Sequence, residues 1–538
     1  MKKILILLFF ATFSVIAIAN SKNDDRNIEI SKNLDIFNST YKELELFYVD
    51  TIKPESTIKY GIDAMLGQLD PYTTYIPESE LEKLKFMTTG EYAGIGCVIG
   101  KNYEGIYITD VYEGMPAYKN GLKVGDIITK IDGKQTSEMT TTEASEKMKG
   151  EAKTMVTFTI KNPISQKEKK VEVQREKIVI PAIQYYDTLS NGVGYININS
   201  FTEKSGNKFK EAFLDLRDNY KIKSLVIDLR NNPGGILDEA VEIVNLFVDK
   251  KSTIVYTKGK NPDLDEIYKA RKEPIDTNIP LFVWVNRNSA SASEILAGAL
   301  QDLDRAVVIG QRSFGKGLVQ TIIPLVYNSQ MKVTESKYYI PSGRCIQAID
   351  YSHRNENGFA EKIPDSLKTA YKTKNGRTVY AGSGIEPDIL LEPYTPSNIA
   401  ISLAGNFHCF NYANKFVKEH QSILPASEFE ITDDIYEDFI HFLKDKDYHY
   451  VTSSEKTIDA LIENAQKEQI DSVTLSQIND LKQRIIEDKK NDIYKFKDEI
   501  KLLLLDEIIT RYYYQKGSIE ASLNHDKEVK RAIEILKN

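Results

Sequence analysis

The feature that most constrains the fold is a stretch, from residue 179 to about 395, in which apolar strands alternate with helices. Gly192–Ile198 predicts a strand and Glu203–Tyr220 an amphipathic helix. Ser224–Leu229 and Leu281–Val285 predict two buried strands. This alternation is typical of an α/β core, in which functional residues lie at the ends of strands.

Small residues fill the segment after Leu281–Val285, where Ser289, Ser291 and Ser293 alternate with alanines before a helix. The first N–H groups of a helix have no partner within it. A serine at this junction can therefore present its hydroxyl to a substrate carbonyl, and the N–H of Ala292 can stabilise the oxyanion. Each serine could instead be a helix N-cap, and spacing alone does not choose among the three.

A serine nucleophile needs a base, and the six histidines lie late in the chain, outside any glycine-rich strand end. The candidate base is therefore Lys316, which stands between two glycines. A base must be neutral, so its pKa must lie well below the ordinary value of about 10.4. Gln320 follows and could orient the amine. The alternative is a phosphate-binding lysine, but the P-loop pattern fails at Gly317, where a serine or threonine is required.

Residues 87–178 change to short strands separated by glycine turns, and Glu113–Gly133 is the most specific block. The pattern resembles a PDZ domain, which binds an extended peptide as an added strand with its terminal carboxylate on backbone N–H groups. The carboxylate-binding turn of such a domain maps onto Gly94, Ile95 and Gly96. The alternative is that these glycines only make a tight turn.

The N-terminus has the features of an export signal. Lys2 and Lys3 precede an apolar run, and Ala17–Ala19 fits the small-x-small cleavage rule. We expect residues 1–19 to be a signal peptide and the mature protein to be soluble in the periplasm or cell envelope. An uncleaved membrane anchor is the alternative, although the apolar run is short for a bilayer span.

Helical patterns occupy residues 20–86 and 396–538. The formal net charge of −8 arises from 70 basic and 78 acidic residues that are well interspersed, with no basic stripe. This distribution argues against a nucleic-acid partner.

Seven runs together resemble the C-terminal processing peptidases, also called tail-specific proteases, over residues from about 30 to 395. These runs are Leu69–Pro77, the PDZ-like segment, Asp228–Gly235, Ser289–Asp302, Phe314–Gln320, Tyr338–Gln347 and Gly384–Asp388. The resemblance implies a multidomain α/β protein. Its crotonase/ClpP-like ββα protease core would span residues 179–395, with an inserted PDZ domain at 87–178 and helical regions at both ends.

The resemblance also implies a Ser-Lys dyad, with Ser291 as nucleophile, Lys316 as general base and Gln320 as the orienting residue. The family's Asn-Pro-Gly-Gly turn supplies the second oxyanion donor beside Ala292. Gly235 is the position we expect, with Gly234 as the alternative.

The expected activity is that of a serine endopeptidase that cleaves exported proteins near their C-termini without a metal or cofactor. Its partners would be proteins or peptides with exposed C-terminal tails, and the family suggests that the PDZ domain gates the site. Residues 396–538 lie outside the family's common core and could form homo-oligomer contacts or restrict access. An activating partner is also compatible with the sequence. The alternatives are a catalytically silent peptide-binding scaffold and a crotonase-like acyl-CoA enzyme.

Overall fold

The computed structural model describes residues 2–102, 104–163, 165–189 and 192–536, with side chains placed from residue 25 onward except at Lys527 and Leu536. The side chains of the predicted signal peptide thus lie outside the described part. The described residues divide into two units. The first comprises residues up to Tyr75 with Ile322–Val333, and the second comprises Ile76–Thr321 with the chain from Thr334 onward.

The first unit contains two helices, α1 (Lys2–Phe47) and α2 (Pro54–Gly67), and most of strand β1 (Thr74–Ile76). The Asp70 carboxylate accepts hydrogen bonds from the backbone N–H groups of Tyr72 and Thr73, both at 2.8 Å, and so orders the turn at Pro71. Along the described part of the chain, no helix combines the length and apolar character that crossing a membrane requires.

The second unit begins with a small β-rich body with its own apolar core. Its elements are α3 (Leu81–Thr89), β2 (Glu91–Gly94), β3 (Cys97–Asn102), β4 (Gly105–Val111), α4 (Pro116–Lys119), β5 (Ile127–Ile131), β6 (Lys134–Gln135), α5 (Thr141–Met148), β7 (Met155–Lys161), β8 (Glu168–Gln174) and β9 (Glu176–Val179). The main sheet runs in the order β3-β4-β5-β7-β8, so β3 is an edge strand. This is the predicted PDZ architecture, and the alternation of buried and partly exposed residues in β7 is that of a strand with one face in the core.

The α/β core follows, with β10 (Ile183–Leu189), β11 (Val193–Ile198), α6 (Ser205–Asp218), β12 (Ser224–Asp228), α7 (Leu237–Asn245), β13 (Thr253–Gly259), β14 (Ile267–Lys269), β15 (Leu281–Val285), α8 (Ala292–Asp302), β16 (Ala306–Gly310), β17 (Leu318–Pro324), β18 (Gln330–Tyr339), β19 (Ile349–Arg354), β20 (Ala360–Lys362), β21 (Ala370–Lys372), β22 (Thr378–Tyr380) and β23 (Ile389–Leu390). The central sheet has the order β10-β11-β12-β15-β16-β23. All neighbours in it pair in parallel except β10 with β11. Helices α6, α7 and α8 connect successive parallel strands, which confirms the predicted α/β core.

The two faces of this central sheet are buried by different parts of the chain. Side chains alternate along a strand, so neighbours such as Val283 and Trp284 point to opposite faces. Val283 belongs to the large core that includes α6, α7 and α8. Trp284 belongs to a separate cluster on the other face, which is completed by residues near the C-terminus, among them Leu523 and Val529.

The chain ends in a helical region that packs on both preceding bodies. It comprises α9 (Asn398–Gly405), α10 (His408–Glu419), α11 (Asp433–Leu443), α12 (Ser453–Lys467), α13 (Ser472–Lys489), α14 (Asp492–Lys495), α15 (Lys497–His525) and α16 (Lys527–Leu536). Phe410 of α10 packs on Tyr107 of the PDZ domain, with ring centroids 4.7 Å apart. Tyr514 of α15 contacts Tyr118 of α4, with centroids 5.4 Å apart. The predicted C-terminal helices thus bury apolar side chains within this unit.

Candidate active site

Ser291 lies between β15 and α8 in a left-handed backbone conformation, with φ 56° and ψ −116°. A side chain other than glycine rarely adopts positive φ, and such strain is characteristic of functional turns. Ser289 and Ser293 differ from it, since both are fully buried. The Ser289 hydroxyl donates to the carbonyl of Leu229 at 2.8 Å, and the Ser293 hydroxyl donates to that of Asn232 at 3.0 Å. Of the three serines, only Ser291 is partly exposed.

A buried carboxylate, Glu294, joins the serine segment to the lysine segment. One of its oxygens accepts the backbone N–H groups of Ser291 and Lys316, both at 2.9 Å. The other accepts the Ser313 hydroxyl at 2.5 Å and the N–H of Gly315 at 2.7 Å. Burial raises the pKa of Glu294 to about 7, against the lowering effect of these four hydrogen bonds. The carboxyl group therefore fixes the relative position of the two segments.

Tyr338 makes a second connection between the same segments. Its hydroxyl lies 2.6 Å from the carbonyl oxygen of Lys316, to which it donates, and 3.2 Å from the carbonyl oxygen of Ser291. The ring is almost completely buried. Ser291 and Lys316 are thus held together through both their N–H groups and their carbonyl groups.

The glycines on either side of Lys316 are required by close packing. Gly315 has φ 89°, and a Cβ there would overlap the side chain of Ala348. A Cβ on Gly317 would lie 2.8 Å from the backbone nitrogen of Gln347. The Gly317 N–H donates to the Gln347 side chain at 2.7 Å. This packing holds the backbone of Lys316 against the segment that follows β18.

Gln320 lies on β17, the strand that begins just after Lys316. Its side-chain amide donates to the hydroxyl of Thr334 at 3.2 Å. The side chain is partly exposed. The structure therefore places Gln320 near the start of β17, the strand that follows Lys316. Its side chain is hydrogen-bonded to β18.

The Asn-Pro-Gly-Gly turn lies directly against the serine. A Cβ built on Gly234 would be 2.8 Å from Cβ of Ser291 and 3.0 Å from the nitrogen of Ala292. The N–H of Gly234 donates to the side chain of Asn232 at 2.8 Å. By contrast, the N–H groups of Gly235 and Ala292 have no acceptor among the described residues. Two unengaged N–H groups thus belong to backbone segments that meet beside the Ser291 side chain.

The predicted carboxylate-binding turn connects β2 to β3. Gly94 is the last residue of β2, and Gly96 has φ 74°. The carbonyl of Ile95 accepts the N–H of Ala117 at 2.8 Å, and that of Gly96 accepts the N–H of Tyr112 at 3.1 Å. The carbonyls are therefore held inside the domain, and β3, the edge strand, begins directly after the turn. Strand addition by a peptide requires an open edge of this kind.

Two members of this site, Glu294 and Tyr338, were not predicted from the sequence. Glu294 stands three residues after Ser291, the spacing of a capping box, and this signal could have identified it. Tyr338 carried no comparable signal, because a tyrosine in a strand most often fills a core. Asp302, the last residue of α8, forms a fully buried ion pair with Arg344 at 2.9 Å.

Three family models match the chain. Peptidase family S41 matches residues 192–352, the PDZ domain matches residues 83–161, and the C-terminal helical domain of the "Probable PDZ-protease" family matches residues 399–536. These matches coincide in order with the three bodies of the fold.

A "Carboxy-terminal-processing protease" of Bartonella bacilliformis is 36% identical over 343 residues, covering 63% of this chain and 78% of the relative. A "Probable CtpA-like serine protease" of Staphylococcus aureus is 35% identical over 345 residues, covering 63% of this chain and 68% of the relative. The solved photosystem II D1 C-terminal processing protease covers 66% of this chain and 86% of its own, at 27% identity and a TM-score of 0.37. The family models and the two curated relatives show that the chain belongs to peptidase family S41, as a serine-type peptidase that combines a protease core with a PDZ domain and a C-terminal helical domain.

Proposed function

We propose that the protein is a serine endopeptidase that cleaves exported proteins near their C-termini, with Ser291 as nucleophile and Lys316 as general base. The observation that carries this proposal is the double connection between the two residues through Glu294 and Tyr338. These hydrogen bonds would not be needed if Ser291 only capped a helix and Lys316 were only a surface lysine.

Recognition begins at the PDZ domain. The C-terminal tail of a loosely folded protein adds as a strand along β3, and its carboxylate binds at Gly94, Ile95 and Gly96. The domain thereby selects chains with a free and extended C-terminus. Its movement on binding would gate the active site.

Cleavage proceeds through an acyl-enzyme. The neutral amine of Lys316 takes the proton of the Ser291 hydroxyl as the oxygen attacks the substrate carbonyl, and Gln320 helps to orient that amine. The N–H groups of Gly235 and Ala292 stabilise the oxyanion. The C–N bond then breaks, and the leaving amine receives the proton from Lys316. Lys316 next deprotonates a water molecule that hydrolyses the Ser291 ester and restores the free serine.

Two observations support Gly235 over Gly234 as the oxyanion donor. The N–H of Gly234 is engaged by the Asn232 side chain, whereas that of Gly235 has no acceptor in the described structure. Ala292 adds the field of α8, because it is the first residue of that helix.

The decisive experiment compares the purified protein with its Ser291→Ala variant on an unstructured protein that carries an apolar C-terminal tail. Cleavage products are identified by mass spectrometry. We expect cleavage by the parent alone, with the first cuts near the C-terminus. Equal cleavage by both proteins would refute the assignment of Ser291. The silent-scaffold alternative predicts tail binding by both proteins and cleavage by neither.

The role of the PDZ domain is tested with the same substrate in two forms, one with a free C-terminal carboxylate and one with an amidated C-terminus. Carboxylate recognition predicts a higher KM for the amidated form. Export is tested by sequencing the N-terminus of the protein recovered from the periplasmic and membrane fractions of an expressing bacterium. Cleavage after Ala19 is expected, and an intact N-terminus would support the membrane-anchor alternative.

A further inference from the structure

Arg230 opens the turn that leads to Gly235, and three carboxylates surround its guanidinium group. Asp228, at the end of β12, lies 2.8 Å away. The other two belong to the far end of the chain, with Asp526 at 2.6 Å and Glu528 at 3.0 Å. The guanidinium carbon also lies 4.5 Å from the centre of the Trp284 ring. Arg230 thus connects the C-terminal helical region to the α/β core through ion pairs.

Asp526 performs two tasks with its two oxygens. One accepts the N–H groups of Glu528 and Val529, at 2.7 Å and 3.2 Å, and so caps helix α16. The other binds Arg230. Because the same carboxylate fixes the helix and the arginine, the position of α16 determines the position of the guanidinium group.

Glu528 also divides its oxygens between two partners. One binds Arg230, and the other accepts the side-chain amide of Gln311 at 2.8 Å. Gln311 directly follows β16, the strand that leads into the lysine loop. Glu528 therefore contacts two segments of the site. One is the turn from Arg230 to Gly235, and the other is the segment from Gln311 to Lys316.

The turn is also held by contacts that do not involve Arg230. Asn231 exchanges hydrogen bonds with Asn286, its N–H donating to that side chain and its side-chain oxygen accepting from it, both at 3.0 Å. Asn232 and Gly234 are bonded to Ile198, the last residue of β11, and to Phe201. At the Arg230 end, the side-chain contacts come from Asp228 and the two C-terminal acids. Without the acids, Arg230 keeps one carboxylate partner out of three.

We propose that Asp526 and Glu528 are positioning residues of the peptidase site, which act through Arg230 to hold the Arg230–Gly235 turn in the conformation that presents the Gly235 N–H to the oxyanion. This inference rests on the proposed function, since it assumes that Gly235 is an oxyanion donor. A misplacement of about 1 Å is enough to lower a catalytic rate by about 100-fold. Among the described residues, the side-chain hydrogen bonds of Arg230, Asp526 and Glu528 do not include the PDZ turn at which the substrate tail is proposed to bind, so KM should change little.

The test uses the full chain and a fluorogenic peptide with the same apolar tail, so that kcat and KM are measured separately. We expect the Asp526→Asn/Glu528→Gln double variant to lower kcat by about 10- to 100-fold, with KM changed less than about twofold. Glu534→Gln is the matched control, because Glu534 lies on the same helix and pairs with Arg531 at the surface. It should retain the parental kcat.

A double-mutant cycle with Arg230→Met separates positioning from general destabilisation. If the acids act only through Arg230, the two acid substitutions cause no further loss of kcat in the Arg230→Met background. Losses that multiply, or a double variant that melts like the parent and keeps the parental kcat, would overturn the proposal. Should the double variant lack a cooperative melting transition, Glu528→Gln alone is judged by the same criteria, since it leaves the Asp526 cap in place.

Ser291→Ala in the same series keeps the two proposals apart. If Ser291→Ala retains the parental rate, the proposed function fails. If Ser291→Ala is inactive and the acid variants retain the parental kcat, the positioning role alone fails.

Discussion

The carboxylate of Glu294 accepts the backbone N–H of Lys316 at 2.9 Å. The same oxygen accepts the N–H of Ser291, so one atom fixes the separation of the two backbone segments. Glu294 lies in the first turn of α8, which buries it beside the serine without exposing it to substrate. We infer that Glu294 places Ser291 and Lys316, the two residues proposed to react, by fixing their backbone.

Replacing Glu294 with Gln should impair both stability and catalysis. An amide can accept at only one of its two ends, so at least one buried N–H group loses its acceptor. We expect a loss of about 2 kcal/mol in the free energy of unfolding and a fall in kcat of about 100-fold. Glu143→Gln is the control, because Glu143 occupies the same capping position on α5, at the surface. Parental kcat in Glu294→Gln would contradict the positioning role, and denaturant titration provides the stability.

Tyr338→Phe removes a hydroxyl group and leaves the buried ring in place. The carbonyl groups of Ser291 and Lys316 then lose their shared partner. We expect kcat to fall by about 10-fold, with a loss of about 1 kcal/mol in stability. Tyr339→Phe should leave both unchanged, since that ring stacks on Tyr256 at 5.2 Å outside the site. Equal effects of the two substitutions would argue against a role for the Tyr338 hydroxyl.

Alanine at Gly234 or Gly235, in the turn proposed to supply an oxyanion donor, should abolish activity. Gly234 and Gly235 have φ values of 102° and 143°, and a Cβ on Gly235 would overlap the carbonyl oxygen of Phe201. We expect each substitution to cost about 3 kcal/mol or more. Gly133→Ala is the reference, because Gly133 has φ 78° but nothing within 4 Å of its Cβ position. Its melting temperature should fall much less, and activity should persist.

Cys97 should resist alkylation in the native protein. Burial, with a contribution from Asp110, raises the pKa of this thiol to about 12. Since the thiolate is the reactive form, little of it is present at pH 8. Alkylation should accelerate as the pH rises and should be rapid at pH 8 after unfolding. Peptide mapping by mass spectrometry after iodoacetamide treatment separates Cys97 from the other free cysteines, Cys345 and Cys409, and fast native labelling of Cys97 at pH 8 would contradict the prediction.

The succession of strands and helices along the core, and the glycines on either side of Lys316, could be predicted because each depends on local pattern. Leu281–Val285 has the predicted bounds, and helix α6 lies within the predicted Glu203–Tyr220. The choice among three serines could not be made from spacing, because it depends on which hydroxyls reach Leu229 and Asn232.

The contacts of Arg230 could not be predicted for a related reason. Its partners Asp526 and Glu528 follow it by about 300 residues, and no periodicity connects them. The helical pattern over residues 396–538 did not show that Leu523 and Val529 cover Trp284 and the second face of the central sheet.

That coverage has a consequence for how the chain folds. One face of the central sheet is covered by α6, α7 and α8, which lie between its strands in sequence. The other face is covered by residues near the C-terminus, such as Leu523 and Val529. Contacts between segments that are far apart in sequence form slowly, because closing a long loop costs conformational entropy before the contacts are made. Trp284 is the only tryptophan of the protein, and the C-terminal helices, which we expect to dock last, cover it. Its fluorescence in a refolding experiment should therefore report a slow docking phase that follows formation of the sheet.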